Sequence, residues 1–255
     1  MCKKSKVIKT VILFLISVTC FFAQNRGYEI MKKNDELKEA NDAKADVTLV
    51  LVKKDGKKKF RKMTMFSKKR KEGFDSFFEI KSPSDVEGMR FLTLARKGDD
   101  EQRMFLPALG KARRISGSSK DGKFLGSDLY FYDLEDHDLE DYDYKFIKED
   151  KMEGVEYFVV ESRPKDKKAP YSKILSWVRK DNYFVYKDEM YEKKQGRLLK
   201  TNVIKETKEI QGIIEPIKMI VTNHQEKQST YYLVENINVN TGLKEEIFKV
   251  KNLEN

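Results

Sequence analysis

FLPALGKARRISGSSKDGKFLGSDLYFYDL, Phe105 to Leu134, interrupts a chain that otherwise alternates apolar and polar residues in short runs. An apolar run ends there at Pro107, which has no amide to give to a sheet ladder, so the strand stops. A basic cluster follows, Lys111, Arg113 and Arg114, and then a stretch punctuated by Gly117, Gly122 and Gly126. Gly126 permits a tight turn, and the side chains of Ser127, Asp128 and Asp133 can satisfy backbone amides that such a turn leaves unpaired, so these positions read as structural. Gly117 to Lys123 also spells G-x-x-x-x-G-K. Phe124 stands where a phosphate loop needs a magnesium-binding hydroxyl, and the flanking strand and helix of such a loop are missing, so the segment reads as a turn-rich connection rather than a phosphate loop.

Beyond this stretch runs an acidic segment, Asp133 to Asp143. It lacks the central glycine and the spacing of a calcium loop, and no metal is assigned to it. Its expected neighbour is the basic cluster, with opposite charges meeting at modest gain. Arg113 and Arg114 also admit a functional reading. A guanidinium binds a phosphate or carboxylate through paired hydrogen bonds, which makes the two the candidates for a headgroup or lid contact.

On either side the texture is that of strands. Gly27 to Ala45 reads as an amphipathic helix, but Val47, Leu49 and Leu51 then alternate up to Lys53-Lys54-Asp55-Gly56-Lys57-Lys58, where the Asp-Gly pair signals a hairpin. Phe74–Ile80, Arg90–Arg96, Arg103–Leu106, Tyr142–Ile147, Val155–Ser162, Ser172–Arg179 and Phe184–Tyr191 are short, rich in β-branched and aromatic residues and bounded by turn residues. Arg197–Thr207, Pro216–Asn223 and Ser229–Val239 continue the series. Ten or more short strands predict a mainly β fold in which one antiparallel sheet curls, since a flat sheet that wide would leave long open edges. With no linker and no repeat, residues 24–255 read as a single domain.

The order of three segments, Phe105–Leu109, Ala112–Ile115 and Phe124–Leu134, resembles the outer-membrane lipoprotein-sorting proteins related to the LolA and LolB carriers. The resemblance runs from about Tyr28 to Phe248. Trp177–Tyr191 with Leu198-Leu199-Lys200, and Pro216–Met219 with Asn223-His224, are similar to later strands of that family. The resemblance implies a curled, unclosed antiparallel β-barrel with an apolar cavity between its concave face and a helical lid. The N-terminal helix and the segment Gly110 to Asp141 would supply that lid. It further implies that aromatic residues on the strands, Phe91, Phe105, Trp177, Phe184, Tyr186 and Tyr232, line a lipid-binding cavity. Alternation by itself would make half of them ordinary core.

The N-terminus points to export. Lys3, Lys4, Lys6 and Lys9 precede the apolar run Val11 to Val18, and Ala23 is a small residue at a cleavage position, so residues 1–23 read as a signal peptide. Cleavage would remove the four lysines and lower the formal charge from +10 to +6. It would also remove both cysteines, Cys2 and Cys20, so the mature fold stands without disulfides. Lipidation at Cys20 with membrane anchoring is the alternative, although Thr19 fits a lipobox poorly. An exported basic protein meets anionic lipid rather than nucleic acid, so no nucleic-acid partner is expected.

Catalytic chemistry finds little to stand on. His137 lies in the acidic run and His224 at a strand end, the mature chain has no cysteine, and no G-x-S-x-G elbow marks a nucleophile. The sequence therefore predicts a periplasmic, non-enzymatic, monomeric carrier or binder of lipoprotein acyl chains or lipids, without a cofactor. The resemblance implies loading by an inner-membrane lipid or lipoprotein transporter. A lipid- or lipoprotein-binding sensor that regulates an envelope membrane protein is the alternative.

Overall fold

The computed structural model of the chain describes residue 23 and residues 25–254; the expected signal peptide, with Cys2 and Cys20, lies outside them save for Ala23. Helix α1 spans 25–35. Thirteen strands follow in one antiparallel sheet. From its middle, β1 (Asp42–Val52), β2 (Lys58–Arg70), β3 (Gly73–Ser82), β4 (Arg90–Leu94), β5 (Glu101–Leu106) and β6 (Lys111–Ile115) run to one edge. The other half runs from β13 (Gln228–Val239), beside β1, through β12 (Ile213–Asn223), β11 (Leu198–Ile210), β10 (Val185–Glu192), β9 (Tyr171–Arg179) and β8 (Val155–Pro164) to β7 (Tyr142–Met152). Register shifts at Lys44/Asp46, Phe146/Lys148 and Ile204/Glu206 add local twist, and the sheet curls without closing. Among the described residues no helix is long and apolar enough to cross a membrane.

Alternation decides what each face meets. Val47, Leu49 and Leu51 point to the concave side, where they pack with Met63, Phe78, Ile80, Phe91 and Met104. Phe124 and Leu125, from the long β6–β7 connection, cover that cluster. Farther along the same face, Ile30 of α1 packs on Tyr144, Val160 and Val178. The helix comes very close here: a Cβ built on Gly27 would lie 2.6 Å from the Phe146 amide, so only glycine allows this approach to β7. Behind the sheet, Phe77, Leu92 and Leu94 are covered by Phe248 and Leu253, which belong to the C-terminal 3-10 turns Glu245–Phe248 and Val250–Leu253.

Two local expectations are corrected. The helix expected over Gly27 to Ala45 stops at 35, and residues 42–45 already belong to β1; Ala43 and Ala45 are buried in the sheet, so pairing overrides their helical propensity. The basic cluster, part of the segment Gly110 to Asp141 expected to supply the lid, is instead β6, an edge strand that pairs with Gln102 to Leu106 of β5. Charged residues on an edge block further pairing, which hides such a strand from hydrophobic patterning.

Candidate functional site

A cavity of about 370 Å³ opens where the chain leaves α1 and crosses the concave face. Leu37, Ala43, Met65, Phe74, Phe184 and Ile214 form its apolar wall. Glu215 also faces it, and burial raises its carboxyl above the ordinary range. A second cavity, of about 260 Å³, lies beside Met31 of α1 and reaches Tyr142, Tyr144, Ile174 and Asp188. The site is thus a concavity beside α1 with two pockets, each mixing apolar wall with polar groups: Asn34, Lys38, Glu39 and Ser67 also line the larger, and His137, Ser162 and Ser176 the smaller.

The connection Gly117–Leu134 closes the concave face beyond these cavities, and a buried polar network fastens it. At Gly126 the backbone takes a φ of +73°, and Ser127 Oγ then accepts the Leu129 amide at 3.1 Å. Asp128 accepts hydrogen bonds from Gln228 at 2.7 Å and from the Thr230 hydroxyl at 2.8 Å. Lys200 is fully buried, and its ammonium donates to the Asp128 carbonyl at 3.0 Å and to Asp133 at 2.6 Å. Asp133 also accepts from the Tyr130 amide and the Tyr171 hydroxyl. The Tyr130 ring centroid lies 3.7 Å from the ammonium, and burial pulls the Lys200 pKa down. Asp128 and Asp133 thereby tie the connection to β9, β11 and β13.

The near-match to a phosphate loop has a structural use. Lys120 pairs with Glu135 and Lys123 with Glu226, so both lysines are occupied. Phe124, the residue that breaks the nucleotide motif, is the lid's main anchor, in ring contact with Phe78, Phe91 and Phe131.

The six aromatic candidates separate. Phe184 lines the larger cavity. Tyr232 is on the concave face, where its hydroxyl meets Met65 Sδ at 3.4 Å. Phe91 faces the same way but is wholly buried beneath Phe124, in filled core. Phe105 joins Phe77 and Leu92 behind the sheet, and Trp177 and Tyr186 pack with Tyr157 and Val159, opposite in face to Val160 and Val178. These three do not reach either cavity. Pro107 opens the 3-10 turn Pro107–Leu109 between β5 and β6.

Arg113 and Arg114 do not form a joint clamp. Arg113 pairs with Met104, whose side chain is concave, and Arg114 pairs with Arg103 on the other face, so successive side chains on β6 diverge. Both are exposed, and neither makes an ion pair with the acidic run among the described residues. That run finds other cations instead: Asp133 meets Lys200, Glu135 meets Lys120 and Asp143 meets Lys165.

Part of the acidic run lines a small pocket of about 90 Å³ with Asp100 and Lys120. Burial outweighs the attraction of Lys120 and raises Glu135 to about 7, and burial raises Asp100 to about 6. His137, also at this pocket, is pushed down by burial. A folded-state carboxyl with a raised pKa holds protons that the unfolded chain has released, so its stabilising contribution is present below about pH 4 and is lost as pH rises through the folded value. Stability is therefore expected to fall between about pH 4 and pH 7. Urea unfolding across this range should show a shallower fall for Glu135→Gln, by on the order of 1 kcal/mol after allowance for solvent screening. An identical slope in both proteins would show that Glu135 is not the responsible group.

Sequence reasoning missed Met65, Ala43 and Ile214 as cavity wall, and Lys200 and Asp188 as buried charges. Met65 was visible as part of the Met63–Met65 alternation, but a filled and a hollow interior have the same pattern. For Lys200 the one signal was its place in Leu198-Leu199-Lys200, and for Asp188 there was none.

Comparison with known proteins agrees with this architecture. A family model described as that of an uncharacterized protein matches residues 73–255. No curated protein matches the chain. A domain assigned to the outer membrane lipoprotein-sorting proteins, from Vibrio parahaemolyticus, superposes with a TM-score of 0.86 at 30% identity, covering 91% of this chain and 100% of its own. A DUF1329 family protein from Desulfovibrio piger superposes with a TM-score of 0.86 at 29% identity, over 91% of this chain and 99% of its own. A LolA superfamily protein from Nitrosomonas europaea shares the fold, with a TM-score of 0.71 at 22% identity, over 89% and 98% of the two chains.

Proposed function

The chain belongs to the outer-membrane lipoprotein-sorting protein family, and on that premise we propose that it is a non-enzymatic envelope protein that holds a lipid, or the acyl chains of a lipoprotein, in the concavity beneath α1. The observation that carries this reading is the apolar cavity walled by Leu37, Ala43, Met65, Phe74, Phe184 and Ile214. Each methylene moved there from water contributes about 0.8 kcal/mol, so a long chain binds without covalent chemistry. Uptake and release would need α1 or the segment after it to move, because Asn34 and residues 37–40 line the cavity. Read as a signal peptide, residues 1–23 would put this activity in the periplasm, and a lipid or lipoprotein transporter is the partner that would load it.

Titration with an environment-sensitive apolar fluorophore tests the reading. Saturable binding near one probe per chain, reversed by a long-chain lipid, is expected. Met65→Trp places a larger ring in the cavity from a half-buried position, and should weaken the probe at least about tenfold while leaving the fold intact, since overpacking costs about 1–3 kcal/mol. Probe binding that is unaffected by Met65→Trp would move the site elsewhere.

A further inference from the structure

The smaller cavity has an electrostatic character that acyl-chain binding does not use. Its floor is the carboxylate of Asp188 on β10, which accepts a hydrogen bond from Ser176 Oγ at 2.7 Å and is also hydrogen-bonded by Asn202. Among the described residues, no lysine or arginine lines this cavity and Asp188 makes no ion pair. Around that acid the wall is apolar or aromatic, with Met31, Ile174, Val185 and the rings of Tyr142 and Tyr144, whose centroids are 6.1 Å apart. The charges that act on those two tyrosines are carboxylates, Asp35, Glu140 and Asp141, and each raises a hydroxyl that burial has already raised. His137, which completes the wall, is biased by burial toward its neutral form. Among the described residues, Asp188 is thus the one acid that lines this cavity and no lysine or arginine offsets it, in a chain of formal charge +10.

We propose that this cavity binds an amphiphile headed by a primary ammonium group, with the ammonium at Asp188 and the tail against Met31, Ile174 and Val185. The inference rests on the reading that the concavity takes an apolar chain, and it names the headgroup. A carboxylate removed from water without a counter-charge is costly, and an ammonium supplies both the charge and the donors that Ser176 and Asn202 leave unfilled. Burial raises Asp188 to about 6, the direction expected of an acid that lacks a cation. The tyrosine faces add cation–π attraction, while an anionic headgroup would meet the Asp188 carboxylate, with the charges of Asp35, Glu140 and Asp141 already acting on the tyrosine wall.

Calorimetric titration of the full-length protein near neutral pH with dodecylamine, dodecanol and dodecanoate, each below its micelle concentration, tests this. Methylamine distinguishes an amphiphile from a free ammonium ion. Dodecylamine should bind at least about tenfold more tightly than dodecanol, as a hydrogen bond to a charged group allows. Dodecanoate should be weaker than dodecanol, and methylamine should be the weakest by at least about a hundredfold. Asp188→Asn keeps hydrogen-bonding capacity toward Ser176 and should reduce the amine preference to within about twofold without altering dodecanol binding. Equal affinity for the amine, alcohol and acid overturns the headgroup assignment while the chain-binding site stands, and this comparison on the unsubstituted protein does not depend on any variant folding. Survival of the preference in Asp188→Asn, or methylamine binding as tightly as dodecylamine, also overturns it. If none of the dodecyl ligands binds, the chain-binding reading fails and takes this one with it.

Discussion

Replacing Lys200 with methionine is expected to lower the stability of the protein by about 3–5 kcal/mol, the range for removing one partner of a buried ion pair. Methionine fills similar volume, so the loss is electrostatic rather than a cavity effect. The substitution leaves the Asp133 carboxylate without its cation 2.6 Å away, and leaves the Asp128 carbonyl without its donor, both on the concave side of the sheet. Tyr171 still donates to Asp133, but one neutral hydroxyl cannot balance the charge. Urea unfolding of the single variant and of the Lys200→Met/Asp133→Asn pair separates the effects. The pair should recover part of the loss, since it removes the orphaned charge along with its partner. A loss below about 1 kcal/mol for Lys200→Met would mean that the network does not hold the lid.

Phe124→Ala should cost a similar amount, about 3–5 kcal/mol, with a different signature. Phe124 is 1% exposed, and its ring centroid lies 5.3 Å from that of Phe91 and 5.7 Å from that of Phe78. It is the most deeply buried aromatic side chain that the connection inserts against the sheet. Its loss should loosen the lid before the strands, so amide exchange at residues 122–134 should accelerate more than exchange in β1 and β13, where the ladders are intact. Uniform acceleration across the chain would indicate that lid and sheet unfold as one unit and that the lid has no separate motion to offer for cargo entry.

The strands were legible where one face is buried and the other is not. Val47, Leu49 and Leu51 announce β1 by period alone, and the Asp55-Gly56 pair announces its hairpin. β6 was not legible, because an edge strand built from Lys111, Arg113 and Arg114 carries no apolar rhythm. The site was less legible than the fold, for a reason that lies in register. Trp177 sits in a run with apolar residues on both faces, and only its pairing with Val159 and Lys187 fixes which way it points. Tyr186 would share a face with Asp188 and Met190 by simple alternation. The register shift between Val185 and Lys187 turns it to the other side. The family-like motif at Gly126, Ser127, Asp128 and Asp133 was read as structural, and its partners, Thr230, Gln228, Lys200 and Tyr171, lie 38 to 102 residues away in the chain, beyond any local pattern.

The central claim is that the concavity beneath α1 holds an apolar chain, and native mass spectrometry of the protein released gently from cell envelopes tests it most directly. The account predicts a species heavier than the bare chain by the mass of one lipid or acylated molecule, retained under mild activation and lost from Met65→Trp. A folded protein that carries only its own mass in every preparation, and that acquires none when offered lipid, would contradict it.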